Sequence, residues 1–253
     1  MRGWRPSPRP ELARLHQLLL ALVFLTRLPL GRLLPARILP LKEAAWAFPL
    51  AGAVVGAVGA LPLLIWDASL LTACLSVALM VWFTGALHED ALADFTDAAG
   101  GQDQQTRLRI MRDSHIGSYG TMALILTTAL RIAALTLVSP LALIAAAACG
   151  RAAILPGMIL LPPARGDGLG RDAGRPSVAA LLVALTLAAL ALSLAGPGAP
   201  GAAIAGVVAA AWVIARARKW LGGQTGDVLG TLSLAVETAM LIAFALGDPT
   251  APA

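Results

Sequence analysis

The sequence predicts an all-α integral membrane protein: a polytopic bundle of about seven spanning helices, preceded by an N-terminal interfacial or re-entrant helix. Apolar residues make up 58% of the 253 positions and charged residues only 13%, and the mean hydropathy is +0.79. The apolar runs approach bilayer length and do not show the period-two alternation of a membrane strand. We therefore expect one membrane domain over residues 1–253, with an N-terminal segment at 1–43 and the bundle at 44–246.

The spanning helices are predicted from the apolar runs themselves. A helix needs about 20 residues to cross the hydrocarbon core, and helix tilt or local thinning of the bilayer can absorb a modest length mismatch. The predicted spans are 44–66, 69–87, 117–138, 141–161, 177–195, 201–216 and 229–246.

Residues 12–30 are also apolar, but they carry Arg14, His16 and Arg27. If this segment crossed the membrane, the arginine-rich start of the chain (Arg2, Arg5 and Arg9) would lie outside the cell, against the usual charge bias. We therefore interpret it as an interfacial or half-inserted amphipathic helix. An eighth span is the alternative.

Lysine and arginine residues indicate which loops share one side of the membrane. None of the 19 lies in the short loops 66–69, 139–140 and 196–201 or in the C-terminal tail, whereas the longer polar connections are basic. The positive-inside rule therefore predicts cytoplasmic polar loops and an outside C-terminus in a bacterial inner membrane. Because these basic residues flank apolar runs, the net charge of +5 does not indicate a nucleic-acid partner. No sequence feature fixes an oligomeric state.

The stretch FTGALHEDALADFTDAAGG, residues 83–101, places carboxylates at the end of the second predicted span. On a helix over 84–99, Asp90, Asp94 and Asp97 fall within about 60° of one another, with His88 opposite. Like charges at this spacing destabilise a helix, and Mg²⁺ or Mn²⁺ would offset the repulsion because hard cations select carboxylate oxygens. A solvated acidic loop is the alternative. The predicted metal ligands are Glu89, Asp90, Asp94, Asp97 and Asp113.

The next stretch, RLRIMRDSHIGSYG at 107–120, has the composition of an anion site. Arginine suits bidentate contact with phosphate, and the free amides at the start of a helix bind anions. Such groups beside metal-binding carboxylates predict a diphosphate site, although Asp113 could instead pair with Arg109. The expected substrate contacts are Arg109, Arg112, Ser114, Gly117, Ser118, Tyr119, Arg151, Arg165 and Thr225.

Two loops share the pattern G-D-x-L-G: GDGLG at 166–170 and GDVLG at 226–230. Glycine permits close approach of the backbone to a ligand, and each loop adds a carboxylate, so one of these could act as a base or complete a metal site. The alternative is that the glycines and aspartates only cap helices. The expected catalytic residues are Asp94, Asp97, Asp167 and Asp227.

Charged residues inside predicted spans are functional candidates by default. Arg131, Arg151 and Glu237 are of this kind. An Arg–Glu ion pair between helices is the structural alternative.

Four stretches together resemble the cobalamin synthase family, adenosylcobinamide-GDP ribazoletransferase. They are TGALHEDALADFTDAAGG, RLRIMRDSHIGSYG, RGDGLG and GGQTGDVLG, and FLTRLPL at 24–30 and FPLAGAVVGAV at 48–58 also look like that family's N-terminal blocks. The resemblance runs in order from about residue 24 to 240. One departure is Ala91, where the family usually has Gly after His-Glu-Asp; a small residue is retained.

The resemblance implies a reaction and its partners. Phosphocobinamide would pass from adenosylcobinamide-GDP to α-ribazole or its 5′-phosphate, with Mg²⁺ present and GMP released. Family membership also implies an enzyme integral to the lipid bilayer, in agreement with the composition.

Two other functions are considered. A CDP-alcohol phosphotransferase also uses an acidic helix, but its signature begins Asp-Gly-x-x-Ala-Arg, which is absent from the acidic stretch here. A transporter would place polar groups in broken helices at the membrane midplane, whereas this sequence collects its polar residues in loops on one side.

Overall fold

The computed structural model describes residues 10–35 and 39–247. Within these ranges the chain is helical and forms no β-strand, only an isolated parallel bridge between Pro163 and Gln224, so the all-α prediction is confirmed. Arg2, Arg5, Arg9 and the tail after Gly247 lie outside the described residues. The helices are α1 (Pro10–Leu25), α2 (Leu41–Ala44), α3 (Phe48–Ile65), α4 (Leu70–Thr84), α5 (Leu87–Asp97), α6 (Gln104–Ile110), α7 (Ser118–Leu135), α8 (Pro140–Ala152), α9 (Ile154–Leu160), α10 (Leu169–Asp172), α11 (Val178–Ser193), α12 (Ala199–Leu221) and α13 (Gly226–Gly247).

The described chain contains five helical stretches long and apolar enough to cross a membrane. All seven predicted spans are helical, but α11 has only 16 residues, and α4, with 15 residues, reaches the length of a span only when α5 is counted with it. The five stretches are Leu41–Ile65, Ser118–Leu135, Pro140–Leu160, Ala199–Leu221 and Gly226–Gly247.

The prediction of one continuous helix over 84–99 is wrong, because the chain turns by 89° between α4 and α5. Gly85 and Ala86 have φ angles of 69° and 59°, in the left-handed region that ends a helix. A Cβ atom on Gly85 would lie 2.1 Å from Nε of Arg27, and the Arg27 amide donates to the carbonyl of Phe83 at 2.8 Å. Arg27 therefore packs against the bend, and α5 starts a new direction.

Helix α1 packs its C-terminal half into the bundle. Ala21 and Leu25 are buried in the same core cluster as Phe48, and the rings of Phe24 and Phe48 stack at 6.0 Å. With 16 residues, α1 is shorter than the roughly 20 needed to span a bilayer. Helix α11 is equally short, so the preference for a partly inserted α1 over an eighth span rests on the charge bias of the preceding arginines and not on helix length.

Small residues allow the central helices to approach closely. A Cβ atom on Gly52 would lie 2.4 Å from the Ala147 carbonyl oxygen, and one on Gly56 would lie 2.7 Å from Cα of Ile144. The two helices run antiparallel, since later residues of α3 meet earlier residues of α8. This is the small-residue packing that brings membrane helices together.

The polar connections gather at one end of the bundle, which we call the polar end. Gln104 donates to the carbonyl of Leu221 at 2.7 Å, and Arg165 donates to the carbonyl of Leu108 at 2.8 Å. At the opposite end, the short loops that contain Ser139 and Gly198 line a common groove. These two short loops are therefore separated from the polar connections in the fold.

Candidate active site

A cavity of about 200 Å³ opens between α1, α3, α5, α9 and α13, close to the polar end. We call it the central cavity. Part of its wall is apolar, formed by side chains such as Phe24, Phe48 and Met158, and part is polar. The polar side chains in the wall are His88, Asp90, Arg165 and Asp227.

Asp227 reaches this cavity because Thr225, not Asp227, caps α13. The Thr225 hydroxyl accepts a hydrogen bond from the Val228 amide at 3.3 Å and lies 3.2 Å from Oδ2 of Asp227. The interpretation of Asp227 as a helix cap is therefore wrong. Its carboxylate is available to a ligand, whereas Thr225 is 5% exposed and supports Asp227 rather than reaching substrate itself.

Close contact between α5 and α13 brings the carboxylates of the two helices together. A Cβ atom on Gly230 would lie 2.4 Å from Cβ of Ala91, and Thr231 donates to the Ala91 carbonyl at 2.9 Å. Gly230, the last glycine of GDVLG, and the small residue Ala91 thus allow α5 and α13 to approach each other closely. As a result, Asp90 and Asp227 line the same cavity.

Asp94 is partly buried and lies near other carboxylates. Burial, followed by the charges of Asp227, Asp90 and Asp97, raises the pKa of Asp94 to about 7, although the nearby Arg165 acts in the opposite direction. Asp94 lies outside the five spanning stretches. The shift supports the expected proximity of the three α5 aspartates and adds Asp227 from a distant part of the sequence.

Asp97 holds the start of α7. Its Oδ2 accepts from the Gly117 amide at 2.7 Å and its Oδ1 from the Gly120 amide at 2.8 Å. The amides expected to bind a phosphate therefore already bind a carboxylate of the chain, because an anion is favoured at a helix N-terminus. The neighbouring Ser114, Ser118 and Tyr119 are exposed and lie outside the wall of the central cavity.

Glu89 and Arg151 belong to a buried ion-pair network rather than to the predicted metal and diphosphate sites. Arg131 donates to Glu89 at 2.9 Å and to Glu237 at 2.8 Å, and Arg151 pairs with the other oxygen of Glu237. The side chains of Arg131, Arg151 and Glu237 are at most 3% exposed. Two arginines and two glutamates balance each other, which is what buried charges require.

The two G-D-x-L-G loops lie side by side. Ala164 donates to the Gln224 carbonyl at 2.9 Å, Gln224 donates back to the Pro162 carbonyl at 2.8 Å, and the Gln224 side chain donates to the Gly170 carbonyl at 2.7 Å. Arg165 stands between the loops and lines both the central cavity and a wider groove of about 630 Å³. Arg109 also lines this wider groove.

Asp167 and Asp113 are placed differently from Asp227. Asp167 pairs with Arg112 at 2.5 Å, and both side chains are more than half exposed. Asp113 accepts from His115, which holds the pKa of Asp113 below its usual value. Neither aspartate lines the central cavity, whereas Asp227 does. The structure therefore does not place Asp167, the predicted base, or Asp113, the predicted metal ligand, in the wall that holds Asp90 and Asp227.

In residues 10–35 and 39–247, no three His, Cys, Asp or Glu side chains are arranged as a ready-made metal site. Asp90, Asp94 and Asp227 nevertheless come from two helices to one region. Mg²⁺ is commonly held by one or two carboxylates together with water and substrate phosphates. The donor set fits that mode, in which the substrate completes the site.

Sequence reasoning missed two contributors to the central cavity, His88 and α1. His88 was expected opposite the aspartates and given no role, yet it lines the cavity. Phe24 and Leu25 of α1 also line it. The apolar segment 12–30 predicted a helix at α1 but not its place in the cavity wall, and no pattern singled out His88.

Residues 17–245 match the model of a protein family described as Cobalamin-5-phosphate synthase. The chain belongs to this family. It is similar to proteins named adenosylcobinamide-GDP ribazoletransferase: 41% identical to that of Bradyrhizobium diazoefficiens (90% of this chain, 94% of the relative) and 44% identical to that of Azorhizobium caulinodans (80% and 83%). No solved structure matches. As a member of this family the chain is a transferase of cobalamin biosynthesis, and the alternatives of a transporter and of a CDP-alcohol phosphotransferase are set aside.

Proposed function

We propose that this protein joins adenosylcobinamide-GDP to α-ribazole or α-ribazole 5′-phosphate. The products are adenosylcobalamin or its 5′-phosphate and GMP, in a late step of nucleotide-loop assembly at the inner membrane. The family and the names of the relatives support this reaction. The observation that carries the proposal for this chain is the placement of Asp90, Asp227 and Arg165 around one cavity.

In the proposed reaction an acceptor hydroxyl attacks the phosphorus that carries the cobinamide. A bond forms between the hydroxyl oxygen and this phosphorus, and the bond from the phosphorus to the bridging oxygen of GMP breaks. Asp227 accepts the hydroxyl proton, since a carboxylate within hydrogen-bond reach contributes about 10²–10⁴-fold as a general base. The Thr225 hydroxyl, 3.2 Å from Asp227, orients that carboxylate.

Arg165 is the cation placed to meet the donor diphosphate. One of its nitrogens is held by the Leu108 carbonyl, which fixes the guanidinium, while its buried Nε has no hydrogen-bond partner among the described residues. A fixed cation stabilises the charge that develops on the transferred phosphoryl group. Arg109 and Arg112 would guide the anionic donor from the wider groove towards Arg165.

Asp90 and Asp94 would hold Mg²⁺, or Mn²⁺ in its place, together with the substrate diphosphate. The ion would neutralise diphosphate charge and relieve the carboxylate repulsion that, together with the larger effect of burial, raises the pKa of Asp94. Asp97 would contribute by fixing the end of α5 against α7.

The test is release of GMP from adenosylcobinamide-GDP by the protein in detergent or in proteoliposomes, measured with and without α-ribazole. We expect release that depends on both α-ribazole and Mg²⁺. Asp94→Asn should reduce turnover at least a hundredfold, whereas Asp103→Asn, a matched change at an exposed cap of α6, should not. Acceptor-independent GMP release, or full activity in Asp94→Asn, would overturn the proposal.

A further inference from the structure

A second groove, of about 380 Å³, lies between the first turns of α1, helix α2 and the start of α11. We call it the lateral groove. The charged side chains in its wall are Arg14, Lys42, Arg175 and Glu43, so three cations stand against one carboxylate. The three cations are exposed, and among the described side chains none of them forms an ion pair. The groove therefore carries an excess of positive charge that an anionic ligand can neutralise.

Arg14 is held in one orientation in the wall of this groove. Its Nη1 donates to Oε1 of Gln17 at 3.2 Å, and its guanidinium lies over the ring of Trp46, 5.5 Å from the ring centre. Trp46 donates through Nε1 to the same Gln17 oxygen at 2.8 Å. These contacts use one of the five N–H donors of the guanidinium, and a planar guanidinium fixed on an aromatic ring suits the oxygens of a phosphate.

Lys42 places the lateral groove at the polar end of the bundle. A Cβ atom on Gly174 would lie 3.0 Å from Cδ of Lys42, so the stem of Lys42 packs against the polar connection at 162–176. The same connection contains Arg175 and is hydrogen-bonded to the loop that precedes α13. The groove thus lies at the level of the basic loops, where the positive-inside rule expects the cytoplasmic surface of the membrane.

The groove continues onto an apolar side of α11. Val183 lines it and is 45% exposed, and Val178 and Leu182 of the same helix are 69% and 59% exposed. Side chains of this kind on a membrane helix contact lipid chains. Trp46, also in the wall, is a residue type enriched where the hydrocarbon meets the headgroups. The surface therefore combines an anion site with an adjoining surface for hydrocarbon chains.

We propose that the lateral groove binds an anionic phospholipid, with its phosphodiester against Arg14, Lys42 and Arg175 and its acyl chains along α11. Basic pockets between helices at the cytoplasmic side of a membrane bind such headgroups. A soluble phosphate would meet the same cations but would make no use of the apolar surface at Val183. The three cations come from three elements, so the headgroup ties α1 to α2 and α11. Among the described residues, the lateral groove and the central cavity share none, so this site does not depend on the proposed reaction.

Native mass spectrometry of the full chain in detergent tests the proposal, with either phosphatidylglycerol or phosphatidylcholine of the same acyl chains added. We expect phosphatidylglycerol to bind at the lower lipid concentration. The double variant Arg14→Gln/Arg175→Gln should bind phosphatidylglycerol about thirtyfold more weakly, because two basic residues near the headgroup are lost. The matched control is Arg218→Gln/Lys219→Gln, which removes the same charge from the exposed end of α12 and should leave this binding nearly unchanged.

Thermal unfolding of the same samples gives a second measurement, since a ligand that binds only the folded protein raises its Tm. We expect phosphatidylglycerol to raise the Tm more than phosphatidylcholine does, and this difference should be absent in Arg14→Gln/Arg175→Gln. All four substituted side chains are exposed, so the Tm without lipid should stay close to that of the unaltered protein.

Two results would overturn the site: equal binding of the two lipids by the unaltered protein, or undiminished phosphatidylglycerol binding in Arg14→Gln/Arg175→Gln. Weakening of equal size in the control variant would show a general charge effect and would overturn it as well. If inorganic phosphate raised the Tm as much as phosphatidylglycerol does, the groove would be a site for a soluble anion and not for a lipid.

Discussion

At the scale of single residues, Thr225 caps helix α13 and Asp227 lines the central cavity, although either side chain could have served as the cap. A helix start needs a side-chain acceptor, and both Thr and Asp supply one. The structure gives the cap to Thr225, so Asp227 remains free to face the central cavity. The equivalent aspartate of the other G-D-x-L-G loop, Asp167, pairs with Arg112 at the surface.

This difference predicts unequal effects of two identical substitutions. Asp227→Asn should lower the rate of GMP release about 10²–10⁴-fold, because it removes the proposed base. Asp167→Asn should lower the rate less than about tenfold, since exposed ion pairs contribute little. Steady-state rates with α-ribazole measure both, and equal losses in the two variants would contradict the assignment of roles.

The raised pKa of Asp94 predicts how Mg²⁺ binding depends on pH. Its folded-state pKa of about 7 exceeds the usual 3.8, so the metal-free folded protein holds this proton up to about pH 7. The stability contributed by the raised pKa is therefore full below about pH 4 and is lost as the pH rises towards 7. Mg²⁺ binds the deprotonated form, so its affinity should rise over the same range.

The measurement is the increase in Tm that Mg²⁺ produces in the detergent-solubilised protein, compared at pH 6 and pH 8. We expect a larger increase at pH 8. In Asp94→Asn the difference between the two pH values should largely vanish. An equal increase at both pH values in the unaltered protein would contradict the role of Asp94.

At the scale of elements, α5 connects the buried interior to the polar end. Glu89, near its start, pairs with Arg131 in the interior, and Asp97, at its end, holds the first residues of α7. Helices α5 and α7 therefore run antiparallel and are fixed at two points about three turns apart on α7. This double attachment sets the position of Asp90 and Asp94 between them.

Asp97→Ala should remove the contact between the end of α5 and the start of α7. Two backbone amides would lose their acceptor, and we expect a cost of about 1–3 kcal/mol that appears as a lower Tm. Asp103→Ala, which removes a cap from the exposed helix α6, is the control and should cost less. If the two variants have the same Tm, Asp97 does not hold α7 in solution.

Much of this arrangement was accessible from the sequence, and what was missed has physical causes. Helical spacing correctly grouped Asp90, Asp94 and Asp97, because periodicity within one helix is a local property. The Arg–Glu ion pair considered for Arg131, Arg151 and Glu237 is present, but the pairing of Glu89 with Arg131 depends on a contact between helices far apart in sequence, which spacing does not encode. The bend at Ala86 was also missed, since a non-glycine residue with positive φ is uncommon.

At the scale of the whole molecule, charge is handled in two ways. In the interior, Arg131, Arg151, Glu89 and Glu237 neutralise one another. At the polar end, carboxylates and arginines stand around the central cavity and the wider groove, where a substrate and a cation could complete their coordination. The charges of the first group are satisfied within the chain, so loss of one partner would leave a buried charge unpaired, whereas the second group is available for chemistry.

The fold also sharpens the prediction of sidedness. The polar loops meet at one end and the short loops that contain Ser139 and Gly198 lie at the other, so each of α11, α12 and α13 must run from one end to the other. Helix α11 can do so with only 16 residues if the bilayer thins locally. With the basic loops in the cytoplasm, α13 then ends outside.

Labelling of single cysteines in intact cells tests this topology. In a background with Cys74 and Cys149 replaced by alanine, Ser139→Cys and Pro197→Cys lie in the short loops, and both should react with a membrane-impermeant maleimide. Gln105→Cys, an exposed position at the polar end, should react only after the cells are permeabilised. A reversed pattern would place the active site outside, where GMP released by the proposed reaction could not return directly to the cytoplasm. Reaction of Pro197→Cys only after permeabilisation, with Ser139→Cys still accessible, would instead show that α11 does not cross.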